Sequence, residues 1–565
     1  MAANETVVTW GWGFLLGYVV LIAGLGYIGY RRTNSQDDYA TARGGFGFLA
    51  LAFAYAATVA SGSTFLGIPA LGYAVGFKAG YYAMIYPIGI YLGVLLVARI
   101  TKKVGDRFGS QSVPDFLGDR FQSPTIRVLA ATIGLFLLFY IMAQITAAGF
   151  VFEAILGLEY GVGIWVAGGL LLLYLTAGGS YADILTDAIQ GAIMIAITIL
   201  IVVMFATGWG LEGGAGAVNA ALEPSMQWDV HFSSENATFA NWWVIFLLFI
   251  AHIGFTALPH LGNKFFAIKG NEYMKKFLTI SAVIGITLPL MFLGGILAAA
   301  QGIQLQNPDA VIPTLFVQNL PPIVAAFLGV AILSAIISTA DGIIIAMSQI
   351  FANDLYRKTY VPWKGGDPEG DRTDQRALWI SRTSTVIITI AAVAAVITPP
   401  QFLAILLWVG IGGIIASTGG PYLIGTFWED TSKTAAITAM VVAFAVYFVI
   451  HLGPQAGFYE GWYPYNENPF ASSGIGFIVS CVVTVVVSRF TEPLPAGHLN
   501  EVFGPERGAR ADGGRPVPEA EAEAETDTRT DTGSEAGTRG EAEAEAETRA
   551  GTGIESENKA ESGED

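Results

Sequence analysis

The sequence contains a single cysteine, Cys481, among 565 residues. That excludes an intrachain disulfide framework and any multi-cysteine metal site. Charge is scarce as well. Only 13% of residues are Asp, Glu, Lys or Arg, against 53% hydrophobic, and the mean hydropathy is +0.54. A soluble chain averages about 25% charged residues. The five histidines are scattered, and neither HExxH nor a GxxxxGK[ST] phosphate loop occurs. A metal enzyme or an ATP-driven pump therefore has no visible machinery. The sequence points to no enzyme, no cofactor and no nucleic-acid partner.

What the chain has instead is long apolar runs, such as 126–155, 184–205 and 322–350. Each can cross a hydrocarbon layer of about 30 Å, which takes roughly 20 helical residues. Lipid permits only helices or closed barrels, and the runs lack the alternation of barrel strands. Reading between polar breaks predicts an all-α polytopic membrane protein. Its thirteen helices lie near 10–30, 46–76, 80–98, 126–155, 160–177, 183–207, 239–258, 277–300, 322–352, 377–397, 400–426, 434–452 and 472–488. The first has no basic residue before it and no small-residue cleavage pattern, so it reads as a retained helix.

Basic residues alternate between the connections. One set holds nineteen, among them Arg31, Arg43, Lys102, Arg127, Lys264, Lys276, Arg357 and Lys433, and the other holds only Lys78. The positive-inside rule then puts the N-terminus outside the cell membrane and the C-terminus in the cytoplasm. The net charge of −17 sits mostly at one end, because residues 497–565 carry nineteen acids and seven bases. EAEAEAET appears twice there, at 519–526 and 541–548. Such a segment buries too little surface to fold alone and reads as a disordered acidic cytoplasmic tail.

Two helices look interrupted. The second carries SGSTFLGIP at 61–69, and the seventh carries GFTALPH at 254–260. Glycine and proline in a span free backbone groups that need other partners. These helices occupy matching positions in two consecutive five-helix units, which enter the membrane from opposite sides because five is odd. That is the five-plus-five inverted repeat of secondary transporters, with a solute and ion site at the breaks. The expected divisions are 1–45 (first helix and cytoplasmic loop), 46–207 (first repeat unit), 208–426 (second repeat unit), 427–496 (last two helices) and 497–565 (tail).

The ninth helix places Ser338 and Thr339 at its midpoint, followed by Asp341. Hydroxyls with carbonyls freed at the second-helix break, those of Ala57 and Ala60, can form a nearly neutral oxygen cage for a hard cation such as sodium. Serines and threonines in spans also commonly bond back to their own helix. An ionisable group in a span costs about 3 kcal/mol or more, so it normally faces a cavity, a partner or an ion. Asp341 is such a group, and so is Asp187, one turn into the sixth helix. Asp183, at the start of that helix, has a simpler reading as a favourable first-turn acid. For the solute, the breaks nominate Ser61, Gly62, Ser63, Thr256 and Leu258, since a half-helix N-terminus suits a carboxylate. Fold analogy adds Tyr140 and Gln144 of the fourth helix and Trp408 of the eleventh.

Together these motifs resemble the sodium:solute symporter family. They are DDY at 37–39, the run 61–76, YLTAGG at 174–179 with Thr186, Asp187 and Gln190, LPH at 258–260, and STAD at 338–341. The likeness spans about 30–489. It implies sodium as the coupling ion, bound by carbonyls of Ala57, Ala60 and Ala335 and hydroxyls of Ser338 and Thr339. In some members a second sodium site uses an aspartate matching Asp187, which makes Asp187 and Asp341 a possible second cation site. There, however, the positions of Asp341 and Gly342 can be serines.

NPDAVIP at 307–313, LPP at 320–322 and Pro399-Pro400 resemble segments of pantothenate permeases. Proline carriers have an aspartate where this chain has Val59. The expected activity is thus sodium symport of a small organic solute, preferably a carboxylate such as pantothenate, with proline, a monocarboxylate or a sugar as alternatives. A membrane sensor that keeps the transporter fold is the alternative of another class. The sequence does not fix the oligomeric state.

Overall fold

A computed structural model of the protein describes residues 5–398 and 403–504. The acidic repeats and Pro399-Pro400 lie outside these residues. Among the described residues every named element is helical, and the one β-bridge pairs Phe46 with Ile268. Ten helices are long and apolar enough to cross a membrane, or eleven if the bent pair Trp242–Ala257 and Pro259–Phe266 counts as one span. One of the ten, Phe48–Phe108, has 61 residues, about 90 Å at 1.5 Å per residue and far more than one crossing needs. Gly76, at φ +64°, interrupts it, so it holds the second and third expected spans. With the shorter Tyr160–Thr176 as the fifth, all thirteen spans of the sequence reading have a helix.

Local chemistry sets the ends. Ser123, Asn241, Ser432 and Asn468 each accept a backbone N–H of the helix they open, and Pro124 and Pro469 sit in the first turn. Side-chain oxygens there satisfy orphan donors, and proline has no N–H to lose. Gly109, Gly157 and Gly208 close helices with positive φ, the usual C-terminal stop. The fifth and sixth spans form one run, Tyr160–Thr207, kinked at Gly179 (φ 52°, ψ −150°). A side chain at Gly179 would meet the Tyr39 carbonyl oxygen at 2.7 Å.

Apolar burial distinguishes spans poorly in lipid, so close packing through small residues holds them together. The ninth span, Pro322–Gln349, is buried almost without interruption from Leu328 to Gln349 and is the central helix. Where the eighth span crosses the second, Gly295 approaches so closely that a Cβ would lie 1.9 Å from the Pro69 carbonyl oxygen.

At one end of the bundle a short main-chain latch joins the connection before the second span to the end of the seventh. Gly44 N–H donates to Phe266 O (3.1 Å), Phe46 N–H to Ala267 O (3.0 Å), and Lys269 N–H to Phe46 O (3.0 Å). Beside it Arg43 pairs with Asp37 (2.8 Å) and Asp106 (3.3 Å).

Two sequence expectations change. The seventh span does not end near 258. It bends by 50° and continues through Pro259–Phe266, because Pro259 is well placed in the first turn of a new helix. Lys264, assigned from sequence to a connecting loop, is therefore inside the protein and only 3% exposed. The segment 497–565 is also not wholly an unstructured tail, since Ala496–Phe503 is a helix with Leu499, Val502 and Phe503 buried. Apolar residues at this spacing make one face of a helix. That face covers Arg120, whose guanidinium lies 4.9 Å from the Phe503 ring and donates to Gly425 O (2.8 Å). Burial lowers the His498 pKa, and its Nε2 donates to Arg120 O at 3.0 Å.

Both the helix crossing and the terminal helix can be tested. Gly295→Ala should cost about 1–3 kcal/mol as an overpacked contact, read as a lower Tm and yield of monodisperse protein in detergent. Truncation after Pro495 should reduce folded yield by uncovering Arg120, whereas truncation after Gly504 should not. Fluorescence-detected size exclusion separates the two.

Candidate functional site

The two breaks meet at the centre of the bundle. In the second span the helix Phe48–Gly62 gives way at Ser61 (φ 58°, ψ 170°) to a wide turn, Ser63–Gly67, and then to Ile68–Val75. A non-glycine residue in that region stores roughly 1–3 kcal/mol of strain and persists only where surroundings enforce it. Here Gln144 of the fourth span helps, because its Oε1 accepts the Gly62 N–H at 2.9 Å. The Gln144 amide nitrogen has no protein partner although it is buried. In the seventh span the helix Trp242–Gly254 tightens into a 3₁₀ turn, Phe255–Ala257, before the bend at Leu258.

Between the breaks lies a narrow buried cavity. The second span contributes Val59, Ser61, Ser63, Thr64 and Ile68. Tyr82, Tyr86, Tyr140, His252, Phe255 and Trp408 supply its aromatic lining. The His252 and Trp408 rings lie 4.6 Å apart, and Trp408 packs 4.7 Å from Phe470. No aspartate, glutamate, lysine or arginine is among the lining residues. Of the residues nominated for solute, Ser61, Ser63, Tyr140 and Trp408 line the cavity, while Gly62 and Gln144 are not among its lining and meet each other beside Ile336 of the ninth span. Thr256 and Leu258 do not line it either. In the 3₁₀ turn Phe255 takes the cavity side, while Thr256 packs against Gly93 and donates to Ile253 O. Sequence reading missed Tyr82, Tyr86 and His252, which sit in apolar runs and carry no local signal, and Phe255, which lies inside the break cluster 254–260.

A polar cluster lies on the other side of the second-span break. Asp183 and Asp187 of the sixth span and Asp341 of the ninth are all buried, with one oxygen of each within 4.8 Å of the others. Lys264 enters from the second half of the seventh span. Its ammonium contacts Asp183 Oδ2 (3.1 Å), Asp187 Oδ2 and Thr58 Oγ1 (2.6 Å), and Thr58 in turn donates to Asp187 Oδ2 (2.9 Å). Tyr174 donates to Asp341 Oδ2. Gly342 leaves the space beside Asp183 and Lys264 open.

Several oxygens of this cluster have no protein donor. They are Ser338 Oγ and the Oδ1 atoms of Asp183, Asp187 and Asp341, and Thr339 Oγ1, next along the ninth span, is also buried without a partner. Ser338 lies beside the Asp187 carboxylate but outside hydrogen-bonding geometry. Buried polar atoms are almost always satisfied, and a group composed only of acceptors and hydroxyls suits a cation. Ala57, Ala60 and Ala335 are buried on the same two helices as Thr58 and Ser338, and the Ala60 carbonyl accepts the Ser63 N–H. The structure thus brings Asp187 and Asp341 together with Ser338 beside them, and Asp183 joins them as more than a first-turn acid. The lone lysine of an otherwise chargeless half-helix was the available signal for Lys264.

Known proteins are consistent with this architecture. The chain is 27% identical over 440 residues to a high-affinity proline transporter of Bacillus subtilis, covering 75% of this chain and 89% of that one. It is 26% identical over 453 residues to the sodium/pantothenate symporter of Haemophilus influenzae, covering 77% and 89%. The fold matches a solved Na+-coupled sialic acid symporter in a substrate-bound outward-open state, with a TM-score of 0.69 at 19% identity over 86% of this chain and 98% of that one. The family model described as sodium:solute symporter matches residues 39–443. The chain is a multi-pass membrane transporter that belongs to the sodium:solute symporter family.

Proposed function

We propose that this sodium-coupled symporter carries a small organic carboxylate that has no positively charged group. The observation behind this reading is the chemistry of the central cavity. Its lining offers hydroxyls and the start of a half-helix but no acidic side chain, and the unpartnered Gln144 amide stands behind Gly62. A half-helix N-terminus favours a carboxylate. An ammonium in the same cavity would lack a counter-charge, since Val59 stands on its wall. The tyrosines, Phe255 and Trp408 suit an apolar body. Pantothenate is the larger candidate of this kind, and a short monocarboxylate the smaller. Proline, as a zwitterion, and sugars fit the chemistry less well.

In this reading sodium binds Ser338 and Thr339 with carbonyls of Ala57, Ala60 and Ala335, and Asp187 supplies negative charge. The N-terminus lies outside the cell membrane and the tail in the cytoplasm. With Lys264 inside the protein, the asymmetry of basic residues between the two sides still stands.

A transport screen in proteoliposomes, with and without a sodium gradient, tests the solute class. Pantothenate and short monocarboxylates should accumulate and proline should not; proline uptake exceeding both would sink the reading. Gln144→Leu removes a buried donor and the Gly62 anchor. It should raise the solute KM about tenfold, corresponding to ~1.4 kcal/mol, with little change in sodium dependence. Ser338→Ala with Thr339→Ala should raise the sodium concentration for half-maximal uptake. By linkage the double variant should also weaken solute binding at fixed sodium. Unchanged sodium dependence in properly inserted protein would place the ion elsewhere.

A further inference from the structure

The polar cluster contains a positive charge that neither solute nor ion supplies. Lys264 is carried on Pro259–Phe266, where it is buried among His260, Asn263 and aromatic neighbours. An ammonium has three hydrogens, and all three are used, on Asp183 Oδ2, Asp187 Oδ2 and Thr58 Oγ1. Two of those acceptors belong to the sixth span and one to the second. The group therefore stands where a cation held by two carboxylates and a hydroxyl would stand.

The remaining oxygens divide unequally. Asp187 has given Oδ2 to the ammonium and keeps Oδ1 unpartnered, and Ser338 and Thr339 keep their hydroxyls. Asp341 has the Tyr174 hydroxyl on Oδ2 and, like Asp183, keeps Oδ1 unpartnered. A second mobile ion would draw on those two Oδ1 atoms, and Asp183 Oδ1 belongs to a carboxylate already paired with Lys264. The ion's like charge would also stand within a few ångströms of the ammonium, in surroundings where such repulsion is screened little.

We propose that Lys264 is a built-in second cation. Its ammonium fills a carboxylate-and-hydroxyl site that would otherwise take another sodium, so the carrier binds one sodium in each cycle. This rests on the assignment of sodium to Ser338 and Thr339 and is independent of which solute is carried. Because the cation is tethered to the second half of a broken span, the carboxylates are partly neutralised whether or not sodium is present. Unpaired buried charge is costly, so the ion-free carrier would be spared part of that cost while it reorients.

Equilibrium binding of 22Na+ to purified, monodisperse protein provides the test, with no solute needed. The wild type should bind one sodium per chain with a simple hyperbolic curve. Lys264→Gln should bind two, with the second lost again in Asp183→Asn/Lys264→Gln, where one carboxylate leaves with the ammonium. Lys264→Arg should keep one. Two ions on the wild type overturn the proposal whatever the variants do, and so does a single ion on folded Lys264→Gln. A wild type that binds no sodium would instead defeat the ion assignment on which the proposal stands. A purely structural lysine would lower yield without creating a new sodium site.

Discussion

A primary ammonium cannot be left unmatched at the depth of the hydrocarbon, and two nearby carboxylates cannot be left there without a cation. The centre of this protein satisfies both demands with one contact. Lys264 of the seventh span meets Asp183 and Asp187 of the sixth and Thr58 of the second. Those three spans include both broken helices. The same contact ties the second span to the sixth and seventh beside Ser338, and the aromatic-lined cavity lies on the other side, beyond Ser61.

This separation gives the protein two unlike compartments a short distance apart. One is crowded with charge and unpartnered oxygens. The other has aromatic walls and no charged side chain. Both share the backbone of residues 57–64, so a change in that turn is felt on both sides. Coupling between ion and solute needs such a shared element, and a strained residue such as Ser61 is a natural place for it.

Much of this was legible in the sequence because membrane physics leaves few alternatives. Length and apolarity mark each span, and the clusters at 61–69 and 254–260 mark both breaks. Ser338, Thr339, Asp187 and Asp341 stand out because polar atoms are conspicuous in an apolar run. Reading fails where a local rule gives an ordinary answer. Lys264 lies between a proline and a basic loop, so it looks cytoplasmic unless the bent span is known to continue. Asp183 looks like a helix-start acid because the kink at Gly179 resembles a boundary. His252, Tyr82 and Tyr86 face the cavity only through tertiary packing, which one sequence does not encode locally. The helix Ala496–Phe503 is masked by the strongly acidic composition of residues 505–565.

The latch between residues 44–46 and 266–269 is made by backbone atoms alone. Its strength is therefore nearly indifferent to which side chains evolution places there, with two exceptions. Proline at position 44, 46 or 269 would delete a donor, and any side chain at Gly44 would strain a backbone held at φ +64°. Drift elsewhere in this stretch can be extensive while the link between the first connection and the second half-helix persists. Relatives could thus share the same joint with little in their aligned letters to announce it.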